Sequence, residues 1–136
     1  MSVYLLDTTA FSALMDEEPR TLTRADSLNP DDRLVICTIV RGEVLYGIER
    51  LPHGRRRREF EAKAANLFAR IPCEGIPEGV ADIYARIKRD AERRGTQLDE
   101  NDLWIAAAAM GLEAIVVSSD TDYQKVNGLR TEDWSE

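Results

Sequence analysis

The sequence predicts an α/β fold, a three-layer sandwich in which a central, mostly parallel twisted sheet carries helices on both faces. Two observations support the prediction. Short apolar runs, Val3–Leu6, Leu34–Cys37 and Ala114–Ser118, alternate with longer segments whose apolar residues recur at helical spacing. Strands alternating with helices in so short a chain imply right-handed crossovers and a parallel sheet covered on both sides. At 136 residues the chain fits one domain, residues 1–136, large enough to bury roughly two thirds of the surface its unfolded form exposes.

The run Val3–Leu6 ends at Asp7, and Thr8–Met15 continues at helix spacing, so a buried strand feeds a helix with Asp7 at the junction. A second helix is expected from about Arg20 to Leu28, before Asn29-Pro30-Asp31-Asp32 supplies turn chemistry. After the strand Leu34–Cys37, Thr38 reads as the N-cap of a helix with Val40, Val44, Ile48 and Leu51 on one stripe, broken by Pro52 and Gly54. A charge-rich helix is expected over Arg55–Arg70, with Phe60, Ala64, Leu67 and Phe68 as its apolar face. Ile71-Pro72-Cys73 reads as a short edge strand, where proline is tolerated. Pro77 is placed to begin a helix that carries Val80, Ile83, Tyr84, Ile87 and Ala91 as far as Gly95. Asp99 then opens a helix over Asp102–Met110 closed by Gly111, and the most apolar strand, Ala114–Ser118, runs into Ser119-Asp120-Thr121-Asp122.

Composition narrows the function. Hydrophobic residues make up 43% and charged residues 32% of the chain, values typical of a globular domain. No apolar run approaches the length of a membrane span, and Met1-Ser2-Val3-Tyr4 lacks the start of a signal peptide, so the expected location is cytoplasmic. Cys37 and Cys73 form no C-x-x-C pair and read as buried thiols. A net charge of -7 excludes coating of nucleic acid by bulk electrostatics. Two local basic patches stand out, Arg55-Arg56-Arg57-Arg58 and the set Arg86, Lys88, Arg89, Arg93 and Arg94, each equally readable as solvated helix surface. The one histidine, His53, lies in a Pro52-His53-Gly54 turn, and no G-x-S-x-G, P-loop or G-x-G-x-x-G pattern occurs.

The acids carry more. Asp7 alone reads as an N-cap, and Asp102, with Asp99 three residues before it, as part of a capped first turn. Asp120 and Asp122 close an apolar strand and read locally as a turn. Glu43 is less ordinary, because it points between Ile39 and Val40 into the apolar arc of its helix and needs either a cation or Arg41 as partner. Several acids share the expected rim of one small sheet, outside the carboxyl ends of the strands, where α/β proteins bind ligands. Carboxylates about 4 Å apart repel by roughly 4 kcal/mol at an effective dielectric near 20, so a divalent ion is expected among them, and oxygen ligands select Mg²⁺ or Mn²⁺. The chemistry that fits is hydrolysis by metal-activated water, the ion also offsetting charge on a phosphodiester.

Four segments resemble a known family, the PIN-domain ribonucleases, and within it the VapC-type toxins of bacterial toxin–antitoxin pairs. They are Leu5-Leu6-Asp7-Thr8-Thr9, then Thr38-Ile39-Val40-Arg41-Gly42-Glu43-Val44-Leu45-Tyr46-Gly47-Ile48, then Leu98-Asp99-Glu100-Asn101-Asp102-Leu103-Trp104-Ile105-Ala106-Ala107, and Val117-Ser118-Ser119-Asp120-Thr121-Asp122-Tyr123. The resemblance spans nearly the whole chain and implies a PIN-like sandwich. It also implies Asp7, Glu43, Asp102 and Asp120 as the catalytic, metal-binding set, with Thr8 and Ser118 in support and Asp99 and Asp122 as alternative ligands. It further implies a Mg²⁺- or Mn²⁺-dependent endoribonuclease, a tRNA or mRNA substrate, a homodimer and inhibition by a VapB-type antitoxin. The arginine run Arg55, Arg56, Arg57 and Arg58 then becomes a candidate contact for RNA or antitoxin. Ser118 stands where relatives often carry Thr, and Tyr123 where Phe is common.

Three rivals are distinguishable. A catalytically silent cation- or peptide-binding module would not need an intact set of acids. A phospho-acceptor receiver domain would place a Lys after the strand ending Val116-Val117-Ser118-Ser119, and a haloacid-dehalogenase-like phosphatase would place Asp where Thr9 stands.

Overall fold

Residues 1–136 are described by a computed structural model. Five strands, β1 (Val3–Leu6), β2 (Arg33–Cys37), β3 (Cys73–Glu74), β4 (Ile115–Val117) and β5 (Thr131–Glu132), form one sheet in the order β3-β2-β1-β4-β5. Every pairing is parallel. The inner strands read as unbroken apolar runs because both faces are covered: Leu5, Leu6, Val35, Ile36, Val116 and Val117 have no solvent exposure.

Six helices connect them: α1 (Thr8–Met15), α2 (Pro19–Asp26), α3 (Thr38–Glu49), α4 (Arg55–Arg70), α5 (Val80–Arg93) and α6 (Glu100–Gly111), with a 3-10 helix at Thr121–Lys125 between β4 and β5. The chain steps in one direction from β1 through β2 to β3, then returns to the other side of β1 with β4 and β5. Right-handed crossovers therefore put α1–α4 on one face of the sheet and α5 and α6 on the other. Each group packs within itself, α1 against α2, α3 and α4, and α5 against α6. Phe11 stacks on Phe68 at 5.2 Å between centroids to join α1 to α4, and Tyr84 stacks on Trp104 at 3.8 Å to join α5 to α6. The alanine run Ala106–Ala109 lets α6 approach the sheet closely, and Ala106, Ala107 and Ala109 are wholly buried.

Most element boundaries agree with the sequence reading, and each departure coincides with a turn or a longer-range contact. Thr38 is the first helical residue of α3 and not its cap; the cap position is Cys37, and the Thr38 hydroxyl instead donates to the Glu74 carbonyl at 3.4 Å. Pro77 opens a turn, its carbonyl accepting from Val80 N at 3.0 Å, so α5 begins three residues later. Gly95 does end α5: at φ 69° it takes the left-handed conformation, and Thr96 N donates back to Ala91 O at 2.8 Å. Gly111 does not end α6 in that way. It stays helical, with a Cβ at its position meeting Val80 Cγ2 at 3.1 Å, and the left-handed residue is Glu113 at φ 55°. Cys73 is exposed on the edge strand, whereas Cys37 is buried as expected. Strand β5 has no counterpart in the sequence reading. No helix is long and apolar enough to cross a membrane.

Candidate active site

The order in which strands join the sheet reverses between β1 and β4, and the carboxyl ends of those neighbouring parallel strands form the crevice where doubly wound sheets bind ligands. Leu6 pairs with Val117 across them, so the next residues, Asp7 and Ser118, lie side by side, and Asp7 N donates to Val117 O at 3.0 Å.

Asp7 caps α1 as its position predicts, its Oδ1 accepting from Ala10 N at 2.9 Å and from the Thr9 hydroxyl at 2.7 Å. Its Oδ2 accepts from the Ser118 hydroxyl. A carboxylate offers about four lone pairs, so these three bonds leave one, on Oδ2, for a further ligand. Asp7 is 3% exposed. Burial pushes its carboxyl above the ordinary range, a shift opposed by the bonds from Ser118, Ala10 and Thr9.

Asp102 and Asp120 arrive from opposite directions. Asp99 is the N-cap of α6, its carboxylate accepting from Asn101 N at 3.2 Å, and it stays exposed; this leaves Asp102, in the first turn, free to face inward. Asp120 follows β4, held by a bond from its backbone N–H to the Ser118 hydroxyl at 2.9 Å, and caps the 3-10 helix by accepting from Asp122 N at 2.9 Å. The result is a cluster in which carboxylate oxygens of Asp102, Asp120 and Asp122 all lie within 4.8 Å of one another. Asp122 alone among the three has a cationic neighbour, Lys125 at 2.8 Å. Burial, with the charges of Asp99, Asp120 and Glu43 around it, pushes Asp102 up to about 6, against the lowering effect of the Tyr123 hydroxyl.

Glu43, half-buried on α3, completes the rim. Its partners are the Thr8 hydroxyl at 2.5 Å and Asn101 Nδ2 at 3.3 Å, residues adjacent in sequence to Asp7 and Asp102. Arg41 is not its partner, since that guanidinium lies over the Phe68 ring at 4.2 Å. Both supporting residues expected from the sequence, Thr8 and Ser118, therefore bond members of the acidic set. Two further polar contributors, Asn101 and Tyr123, were not singled out; Tyr123 is buried and donates to Asp102 Oδ1 at 3.0 Å. Asn101 carried no periodic signal, and Tyr123 stood out only as a tyrosine in place of phenylalanine.

Beyond Glu43 a groove of about 280 Å³ runs between α1, α3 and α4, lined among others by Thr8, Ser12, Val44, Arg56 and Phe60. It separates the arginine run. Arg55 pairs with Glu59, and Arg57 with Glu49 and Glu61, whereas Arg56 lines the groove and Arg58 has no carboxylate partner. The second basic patch is largely neutralised, through Lys88–Glu100, Arg89–Glu92 and Arg94–Asp90.

A group of three close carboxylates with one Lys among them carries surplus negative charge, and hard oxygen donors suit a hard divalent cation. The residues present fit such an ion.

Residues 4–129 match the family model of the PIN domain. The chain is 28% identical to Ribonuclease VapC1 of Haemophilus influenzae strain R2866, with 98% of each chain covered. To the tRNA(fMet)-specific endonuclease VapC of Shigella flexneri it is 26% identical, covering 99% of this chain and 100% of the other. Among solved structures, the VapBC-1 complex of nontypeable Haemophilus influenzae superposes with a TM-score of 0.88 at 26% identity, covering 98% of this chain and 99% of that one. VapBC2 of Rickettsia felis, bound to a promoter DNA fragment, has a TM-score of 0.88 at 20% identity, covering 97% and 98%, and shares the fold. With its parallel sheet, its acids at the reversal of strand order and a family match over most of its length, the chain belongs to the PIN-domain family.

Proposed function

We propose that this protein is an endoribonuclease dependent on Mg²⁺ or Mn²⁺, acting as the toxin of a type II toxin–antitoxin pair. The observation that carries the reading is the convergence of Asp102, Asp120 and Asp122 at the strand-order reversal; Asp7 stands outside that group and is joined to it through Ser118, whose hydroxyl bonds both Asp7 and the backbone of Asp120. The relatives named as ribonucleases and the neighbours solved as VapBC complexes support it. Asp7, Glu43, Asp102 and Asp120 are assigned as the catalytic, metal-holding set. Asp122 stands as a further ligand from within the cluster, and Asp99 as a helix cap. When bound, a divalent cation supplies a polarised water and offsets negative charge on the phosphodiester. The chain's own residues do the rest. Thr8 and Asn101 fix Glu43, Ser118 links Asp7 to the backbone of Asp120, and Arg56 offers a cation to the phosphates of single-stranded RNA entering beside Glu43. A VapB-type antitoxin and a homodimer belong to the same reading; light scattering that returned the mass of one chain would remove the dimer.

The test is incubation with tRNA and mRNA in Mg²⁺ or Mn²⁺, with EDTA and Asp7→Asn as controls. Asn also caps helices and keeps an oxygen for Ala10 N, so the variant folds. Cleavage is expected to vanish in both controls and in Glu43→Gln, while circular dichroism stays that of the folded protein. Cleavage persisting in EDTA and in Asp7→Asn would overturn the assignment, and metal binding without any cleavage would favour the silent binding module.

A further inference from the structure

We propose that Tyr123 is a positioning residue for the metal site, its hydroxyl fixing the Asp102 carboxylate so that one oxygen is held and the other is presented to Asp120 and Asp122. The inference rests on the metal-binding reading above. Tyr123 is 2% exposed, and its hydroxyl donates to Asp102 Oδ1 at 3.0 Å, its one recorded partner. The ring arrives on the same short segment as two of the three clustered acids, whereas the acid it bonds, Asp102, comes from α6. The 3-10 helix Thr121–Lys125 is capped by Asp120 and contains both Asp122 and Tyr123, so one local turn places two carboxylates and the donor that orients the third.

The packing and the hydroxyl have separable roles. Tyr123 belongs to the hydrophobic core, and its segment is also tied by Val126 N to Tyr123 O at 3.2 Å and by Asp122 N to Asp120 Oδ1 at 2.9 Å. A phenylalanine ring fills the same space and keeps every one of those bonds. What it lacks is the link from α6 to the segment after β4. Without it Asp102, pressed by the charges of Asp99, Asp120 and Glu43, is free to rotate away from them. Hydrogen-bond partners of metal ligands act in this way, by holding a ligand in one rotamer before the ion arrives.

Calorimetric titration of Mn²⁺ into wild type, Tyr123→Phe and Asp102→Asn, with thermal melts in EDTA, separates the possibilities. Tyr123→Phe is expected to bind Mn²⁺ roughly 10-fold more weakly, within the 10–100-fold range of such partners, while its metal-free melt stays near that of wild type. Asp102→Asn is expected to lose the site. Unchanged Mn²⁺ affinity in Tyr123→Phe, with Asp102→Asn defective, would overturn the positioning role alone. Unchanged affinity in Asp102→Asn would overturn it together with the metal-site reading. A Tyr123→Phe melt far below wild type would assign the hydroxyl to the fold and also overturn the proposal. A second measurement needs no variant at position 123: with tyrosines labelled at Cζ and Tyr4→Phe removing the other buried phenol, the remaining buried resonance is expected to shift saturably with Mg²⁺. A resonance that did not move would count against the proposal.

Discussion

Asp102 and Asp99 show what a single side chain's surroundings decide. Three residues apart, both looked like first-turn acids; one is exposed and caps the helix, the other is pressed among like charges. A carboxyl raised in the folded state binds its proton more tightly there than in the unfolded chain, so folding stability falls as pH rises between the two values. For Asp102 that window runs from 3.8 to about 6, and the penalty is then constant at neutral pH. In EDTA at pH 7, Asp102→Asn is therefore expected to be more stable than wild type by about 1 kcal/mol, the full shift being discounted because the group is half-exposed and screened. The gain is expected to shrink towards pH 4, and melts across that range measure it. A variant less stable at pH 7 would show that Asp102 has a compensating cation within the fold. At this scale the sequence revealed which acids to watch and, through the family resemblance, two of their hydroxyl partners, Thr8 and Ser118, but not Asn101 or Tyr123. Glu43 was legible as a carboxylate in an apolar arc, yet its donors, Thr8 and Asn101, come from 35 and 58 residues away and follow no local period.

Elements were more legible than contacts because they obey local rules. α4 begins at Arg55 and ends at Arg70 as its charge and apolar spacing indicate, and β1 occupies the apolar run before Asp7. The boundaries that moved did so where a longer-range contact or a turn is present: Thr38 reaching the Glu74 carbonyl, Pro77 closing a turn, and Gly111 remaining helical where α6 packs closely on Val80. The division of labour in α6 makes an element-scale prediction. Asp99→Ala removes the side-chain bond to Asn101 N, and loss of such a cap costs about 1 kcal/mol. The variant is expected to unfold at lower urea while retaining metal-dependent cleavage. Loss of cleavage in a fully folded Asp99→Ala would instead make Asp99 a member of the catalytic set.

At the scale of the molecule, alternation of strands and helices was enough to foresee a parallel sheet and acids at its carboxyl rim. It was not enough to order the strands, because strand order is set by which faces the helices cover. The part least visible was the C-terminal strap. β5 is two residues long with no apolar run, yet Ser118 N donates to the carbonyl of its Glu132, and Val116 N to that of Arg130 just before it, both at 3.0 Å. Ser118 in turn holds Asp7 and the backbone of Asp120, so the strap backs the candidate site. Trp134 anchors it: 4% exposed, its ring lies 5.4 Å from Tyr4, with the Arg24 guanidinium 5.3 Å from one ring and 5.5 Å from the other. Its indole N–H donates to Glu132, which also pairs with Arg24 at 3.2 Å. Removing a buried Trp side chain costs about 3–5 kcal/mol, and beside an edge strand only two residues long, whose neighbours can shift into the gap, the lower figure is expected. Trp134→Ala should accordingly lose about 3 kcal/mol in urea denaturation and bind Mn²⁺ more weakly even where it remains folded, because Ser118 loses the strand that fixes its backbone. A variant with an unaltered midpoint would make the strap a passive tail, and one with a lowered midpoint but unchanged Mn²⁺ affinity would sever the strap from the site it backs.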